Sequence, residues 1–390
     1  MPNTSERTKF FTESVIRRMT RISNEYGAVN LSQGFPDFEP PLELKEELQK
    51  TAINGPHQYA ITWGAPNFLE ALAKKQSRFM GVNIEAQKNI VVTCGSTEAM
   101  MAALMSVVNM GDKVIVFSPF YENYGADTVL TGAVPIYVHL TPPAFNFDKK
   151  ALREAFCQRP KAIIICNPGN PTGKVFTKDE LLYIASLAEE FDTWVITDEV
   201  YEHIVYKPHK HTYFASLPNM FERTISCSSL SKTYSITGWR LGYIIASEEV
   251  INAARKVHDF LTVGAAAPLQ EAAVKALEFD DNYYDKLLSH YTRKKELFLN
   301  LLDDAKLKYI EPEGAYYVMA DISEFGVKND VEFAEWLARK VGVAAVPGST
   351  FFKENIQNYI RFHFAKKEET LLEAGKRLLK LREFASKLYV

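Results

Sequence analysis

Residues 161–201 read KAIIICNPGNPTGKVFTKDELLYIASLAEEFDTWVITDEVY, and their pattern decides the architecture. KAIIIC is a short, wholly apolar run of the kind that forms a strand buried on both faces. NPGNPTG holds prolines and glycines at a density that makes a rigid, ordered turn. KDELLYIASLAEEF places its apolar residues at helical spacing, and TWVITDEV is strand-like again. The neighbouring sequence keeps this rhythm. NIVVT, STEAMMAALMSVVNMG, KVIVF, PIYVHL and KKALREAFCQ precede it in alternation, and the strand-like run Arg223–Cys227 follows. Fully apolar strands alternating with amphipathic helices predict an α/β fold with a mostly parallel central sheet flanked by helices. In such a sheet ligands bind beyond the carboxyl ends of the strands.

The texture changes after about residue 270. DKLLSHYTRKKELFLNLLDDA reads as a connecting helix, and AYYVMADIS, NDVEFAEWLARKVG and KKEETLLEAGKRLLKLREFA suggest a smaller α+β domain. The expected division is a large domain over residues 46–280, with residues 1–45 and 281–390 forming the small domain and an N-terminal segment.

Composition limits the function classes. A chain of 390 residues is long enough for two domain-sized units. Its 47% apolar and 24% charged residues are close to the globular average. A net charge of −3 leaves no electrostatic footprint for nucleic acid or an anionic membrane. Cys94, Cys157, Cys166 and Cys227 show no CxxC spacing and read as buried thiols of a reducing compartment. No signal peptide and no run near the ~20 apolar residues of a membrane span is visible. The expected setting is cytoplasmic, and no metal is implied.

Polar motifs fall where the strands should end. CGSTEA (94–99) opens a helix, so Gly95, Ser96 and Thr97 could offer N–H groups and hydroxyls to an anion, or simply cap that helix. Asn167 and Asn170 could aim amides from the NPGNPTG turn at a ligand, or only shape the turn. Asp198 ends TWVITD, and a buried carboxylate there needs a cap, an ion pair or a cationic ligand. Tyr201 lies three residues on. In SSLSKTYSITGWRLGY (228–243), Lys232 stands among small hydroxyl residues, with Ser229, Ser231 and Arg240 around it as an oxyanion or phosphate clamp. A semi-buried lysine can act as a nucleophilic amine. Singly, each feature has an ordinary structural reading. Together they ask for a ligand with a phosphate, a ring nitrogen that wants a carboxylate, and a carbonyl that condenses with an amine. Pyridoxal 5'-phosphate has all three.

The chain resembles the fold-type-I pyridoxal-phosphate aminotransferases of the class I/II family, from about Asn30 to Leu379. SLSKTYSITGWRLGY is similar to the family's lysine signature, with Arg240 eight residues after Lys232, and NPTG and the strand-end Asp-x-x-Tyr occur in the same order. The resemblance implies that Lys232 is the Schiff-base lysine and the general base and acid. Asp198 would pair with the pyridinium nitrogen, and Tyr201 and Asn170 with the ring's phenolic oxygen. Gly95, Ser96, Thr97, Ser229, Ser231 and Arg240 would hold the phosphate. Tyr121 would stack on the ring, and Tyr59 would reach the phosphate of the neighbouring subunit in a homodimer with shared active sites. Arg361, in NYIRFHFA, would bind the substrate α-carboxylate, which suits a bidentate guanidinium.

NLSQGFPDFEPP (30–41) and IRFHFAKKEETL (360–371) resemble the branch of glutamine transaminase K, kynurenine aminotransferase and methionine aminotransferase, in which Gly34 would line the substrate pocket. The match departs from that branch in GWRLGY, which carries arginine where its members often have lysine. Aspartate-specific relatives place an arginine in the stretch matching HDFLTVGAAAPLQ (258–270), and some acidic-substrate relatives place a lysine at Thr97. Both are absent, which implies a neutral amino donor (glutamine, methionine, alanine or an aromatic) and a 2-oxo acid acceptor. Arg17, Arg18 or Arg21 could still reach a substrate carboxylate. The alternatives are a cysteine-S-conjugate β-lyase or related elimination enzyme using the same residues, an aspartate or broad-specificity aminotransferase, and a binding protein that retains the site without turnover. A nicotinamide-dependent dehydrogenase fits the rhythm but lacks the strand–GxGxxG–helix unit.

Overall fold

The computed structural model describes residues 3–9, 13–327 and 329–385. Eight strands form the large sheet: β1 (Ile90–Thr93), β2 (Lys113–Ser118), β3 (Val134–Thr141), β4 (Asn146–Phe147), β5 (Ala162–Cys166), β6 (Trp194–Asp198), β7 (Thr224–Ser229) and β8 (Gly242–Ile245). Their order is β1-β8-β7-β6-β5-β2-β3-β4. Adjacent strands from β7 across to β3 pair in parallel, while β8 and the short β4 run antiparallel to their neighbours. The sheet is therefore mostly parallel, as its apolar runs predict.

Both faces are covered, and successive residues of each strand serve opposite faces. Ile163, Ile165 and Val195 pack with Leu152, Leu181 and Ile184 from the helices Lys149–Cys157 and Lys178–Glu190. Ile164, Ile196, Ile225 and Ile244 pack with Ala99, Val250 and Ile251 from the helices Ser96–Val107 and Glu248–Thr262. Each fully buried aliphatic side chain contributes about 1.5–3 kcal/mol. The helix after the NPGNPTG turn starts at a capping box: Thr177 accepts from the Glu180 N–H while the Glu180 carboxylate accepts from the Thr177 N–H.

A second sheet joins β9 (Tyr309–Ile310), β10 (Tyr317–Asp321), β11 (Val346–Pro347) and β12 (Tyr359–His363) in the antiparallel order β9-β10-β12-β11. Val29–Asn30 pairs in parallel with Val343–Ala344, which brings the N-terminal segment to this sheet. The helix Asp281–Asp304 runs between the two regions. Its early residue Tyr283 packs on the cluster around Phe68 and Leu72, and Leu287, Phe298 and Leu302 belong to the cluster around the second sheet. One expectation is corrected: Cys157 is an exposed thiol, because it ends its helix on the solvent side, and Cys94 and Cys166 are only partly buried; Cys227 is fully buried.

Candidate active site

The parallel strands end along one edge of the large sheet, and the polar motifs lie there. Strand β5 leads into Asn170, β6 ends at Asp198, and β7 ends at Ser229 just before Ser231 and Lys232. Cys166, Asp198 and Cys227 are register partners across β5, β6 and β7. From the second sheet, β12 contributes Arg361, and the stretch after Asn30 contributes Gly34.

Lys232 is half-buried, and its Nζ donates to the Gly34 carbonyl oxygen at 3.1 Å. Desolvation pushes its amine down to about 8, the Asp198 carboxylate opposes this, and Arg240 and Arg361 reinforce it. Burial pushes the Asp198 carboxyl up. Against that, Asp198 accepts from the Tyr124 hydroxyl at 2.7 Å and from the Val200 N–H at 3.3 Å, and it feels the Lys232 ammonium. Among the described residues no cation forms an ion pair with it.

Arg361 is 1% exposed. It donates to the Asn170 Oδ1 and to the Ser32 carbonyl oxygen, both at 2.7 Å, and its guanidinium lies 4.3 Å from the Tyr317 ring centroid and 4.7 Å from that of Phe351. Its Nε finds no partner. No carboxylate among the described residues pairs with it, so this buried cation lacks a counter-charge, an arrangement proteins rarely tolerate without a ligand.

The helix Ser96–Val107 begins beside these groups. Gly95 holds φ +85°, and a Cβ on it would lie 2.3 Å from Arg240 Nη2, so the absence of a side chain lets the guanidinium approach the helix N-terminus. Arg240 donates to the carbonyl oxygens of Thr237 and Cys94, at 3.2 and 3.3 Å, and remains exposed. Gly95 is buried, Ser96 half-buried and Thr97 exposed. The Ser229 hydroxyl is buried without a partner. A helix N-terminus, an unpaired hydroxyl and a guanidinium held by carbonyl oxygens without a carboxylate partner among the described residues make a setting suited to an anion.

Tyr121 is half-buried, set edge-on to Tyr124 with ring centroids 5.8 Å apart, and it shares the field of Asp198 and Arg361. The Tyr201 hydroxyl is 2.8 Å from that of Tyr317. Tyr59 stands apart: it is 85% exposed. Asn167 does not aim at a ligand. Its Oδ1 accepts from the Phe176 N–H at 3.0 Å, so it shapes the turn. Arg18 pairs with Glu335 and Arg21 with Glu13 at exposed positions, and Arg17 is exposed as well. Tyr124, Tyr316 and Tyr317 were not singled out from the sequence. Tyr124 had a signal, since it follows Tyr121 by one helical turn. Tyr316 and Tyr317 read only as strand.

Comparison with known proteins identifies the family. The family model "Aminotransferase class I and II" covers residues 26–378. The chain is 36% identical to a methionine aminotransferase of Escherichia coli over 94% of its own length and 96% of the relative's. It is 34% identical to a kynurenine–oxoglutarate transaminase of Dictyostelium discoideum, over 97% and 96%. Among solved structures, the E. coli methionine aminotransferase superposes with a TM-score of 0.93 at 34% identity, covering 97% of this chain and all of the other. The N-succinyldiaminopimelate aminotransferase of Mycobacterium tuberculosis superposes with a TM-score of 0.94 at 34% identity, with the same coverage. The family match over residues 26–378 and the chain-length likeness to named aminotransferases of the same fold lead to one conclusion: this chain belongs to the class I and II aminotransferases, enzymes that move the amino group of an amino acid to a 2-oxo acid.

Proposed function

We propose that the site holds pyridoxal 5'-phosphate and transfers the amino group of a neutral amino acid (glutamine, methionine, alanine or an aromatic) to a 2-oxo acid by a ping-pong mechanism. The observation that carries this reading is the set of uncompensated groups at one edge: the Lys232 amine, the Asp198 carboxyl without a cation, the Arg361 guanidinium without a carboxylate, and the unpartnered Ser229 hydroxyl. The residues fit the cofactor. When bound, it supplies a carbonyl that condenses with amines and a ring that accepts electron density.

The side chains then divide the work. Lys232 Nζ holds the cofactor and afterwards takes and returns the proton at the substrate Cα. Desolvation suits it for this by keeping a share of the amine unprotonated near neutral pH. The Asp198 carboxylate would accept a hydrogen bond from the protonated ring nitrogen and keep it protonated, with Tyr124 orienting that carboxylate. Tyr201 and Asn170 address the ring's phenolic oxygen, and Tyr121 covers a ring face. Gly95, Ser96, Thr97, Ser229, Ser231 and Arg240 bind the phosphate. Arg361, held by the Asn170 Oδ1, binds the substrate α-carboxylate, with Asn170 a second substrate-binding residue, and Gly34 lines the substrate pocket.

The outward ion pairs of Arg18 and Arg21 support a neutral side-chain pocket, as does the apolar stretch from Phe260 to Pro268. The relatives reported above are named as aminotransferases and transaminases, not lyases, which favours amino transfer over elimination. A homodimer with shared sites is supported by the exposed apolar Tyr59, Ile61, Phe260 and Val263, since the Thr62 carbonyl and the His258 Nε2, 3.0 Å apart, hold these two stretches together. Four unpaired thiols support a reducing, cytoplasmic setting, and among the described residues no helix is long and apolar enough to cross a membrane. The division at residues 46 and 280 is supported by the two separate clusters that the helix Asp281–Asp304 joins. The test is a panel of amino donors offered one at a time to the reconstituted protein without acceptor. Conversion with glutamine, methionine or an aromatic but not with aspartate supports the reading, and conversion with aspartate or glutamate alone contradicts the neutral pocket.

A further inference from the structure

Tyr317 lies on β10 with 2% of its surface exposed, and it touches both ends of the site. Met319 is the register partner of Arg361, so Tyr317, two residues back, shares the face of the sheet that carries the arginine. Its ring lies under that guanidinium at 4.3 Å. Its hydroxyl is 2.8 Å from the Tyr201 hydroxyl, and the two rings meet edge to face with centroids 5.7 Å apart. The same hydroxyl presses on the loop that faces Lys232. A Cβ at Gly34 would lie 2.1 Å from Tyr317 Oη, and the Gly34 carbonyl oxygen accepts from both Lys232 Nζ and the Tyr316 hydroxyl, each at 3.1 Å.

We propose that Tyr317 is a positioning residue for the amino-transfer reaction. Its hydroxyl orients Tyr201 toward the cofactor's phenolic oxygen, and its ring holds Arg361 for the substrate carboxylate. This rests on the function proposed above. The proton count gives the direction. Two phenols share two protons, and each hydroxyl donates once. When Tyr201 donates to the cofactor oxygen, Tyr317 is the partner left to donate to Tyr201. Accepting that bond makes the Tyr201 O–H a stronger donor. A stronger donor at the phenolic oxygen draws electron density from it, so the nitrogen attached to the cofactor loses its proton at lower pH. Removing the Tyr317 hydroxyl therefore raises that pH. Removing the ring as well loosens Arg361.

The experiment follows the absorbance of the cofactor-reconstituted protein against pH for the unsubstituted chain, Tyr317→Phe, Tyr201→Phe and the double variant, with KM for the amino donor measured alongside. Tyr317→Phe is expected to raise the absorbance midpoint by about half a unit to one unit while KM stays within about twofold, because the ring remains on Arg361. Tyr201→Phe should raise the midpoint further, and the double variant should match Tyr201→Phe alone, since the hydroxyl acts through Tyr201. Tyr317→Leu should instead raise KM. A merely structural role would lower the melting temperature of Tyr317→Phe and leave its midpoint in place. That outcome, or a shift that adds in full to that of Tyr201→Phe, overturns the proposal. An unsubstituted protein with no pH-dependent band overturns the reading of Lys232, and this proposal with it.

Discussion

The segment Asp198–His203 feeds two buried polar clusters that differ in what they leave unpaired. Behind the sheet edge, Glu202 accepts from Lys75 Nζ at 3.0 Å, from Gln76 Nε2 at 3.2 Å and from the Tyr213 hydroxyl at 2.8 Å, with His203 Nε2 3.2 Å away. Burial opposes the ionisation of Glu202, but Lys75 and His203 outweigh it and hold its carboxyl well below the usual range. That cluster is closed: the charge at its centre meets an opposite charge inside the protein. In front of the edge, Lys232, Asp198 and Arg361 converge with no ion pair among the described residues. Both clusters are costly to desolvate. The first offsets that cost internally, so its chemistry ends in stability. The second keeps its groups available, and in the proposed function a ligand supplies the missing partners.

Substitutions should separate the two. Lys232→Ala removes the amine proposed to hold the cofactor and move the proton, and amino transfer is expected to fall by at least about 10³-fold with little change in the urea midpoint. Lys75→Met acts on the closed cluster in the opposite sense. It leaves Glu202 buried without its cation, so unfolding free energy should drop by about 3–5 kcal/mol while kcat of the remaining folded protein stays near normal. If Lys75→Met abolished turnover in folded protein, the division between the clusters would fail. Arg361→Lys keeps the charge but loses the bidentate fork and the stacking on Tyr317 and Phe351. It should lower kcat/KM for the amino donor by about 10- to 100-fold, chiefly through KM. The smallest effect is one of pH. Only the unprotonated Lys232 amine attacks a carbonyl, and burial sets its titration at about 8. Cofactor uptake by the apoprotein, followed by absorbance, should accelerate as pH rises toward 8 and level off above it. A rate still climbing at pH 10 would mark an ordinary solvated lysine.

Much of the fold was legible because the strands of the large sheet are buried on both faces and read as continuous apolar runs. KAIIIC, TWVIT and NIVVT each became a strand, and their carboxyl ends and the turns after them placed Asp198, Asn170 and Gly95 along one edge. The Lys232 stretch was legible for a different reason: small hydroxyl residues around a lysine have no use on a solvated face. Tyr317 was hidden. Its partner Tyr201 lies 116 positions away, and its contact with Arg361 depends on the pairing register of β10 with β12, which local pattern does not encode. Asn167 and Asn170 looked equivalent in NPGNPTG. Only tertiary placement gives one to Phe176 and the other to Arg361. Tyr59 reads as an active-site tyrosine by resemblance, yet within one chain its side chain is largely exposed.

The most direct test of the open cluster is to reconstitute the protein with pyridoxal 5'-phosphate, reduce it with borohydride, and map the labelled peptide by mass spectrometry. The account predicts a single stoichiometric label on Lys232. A label on Lys75, Lys366 or another lysine, or no label at all, would contradict it.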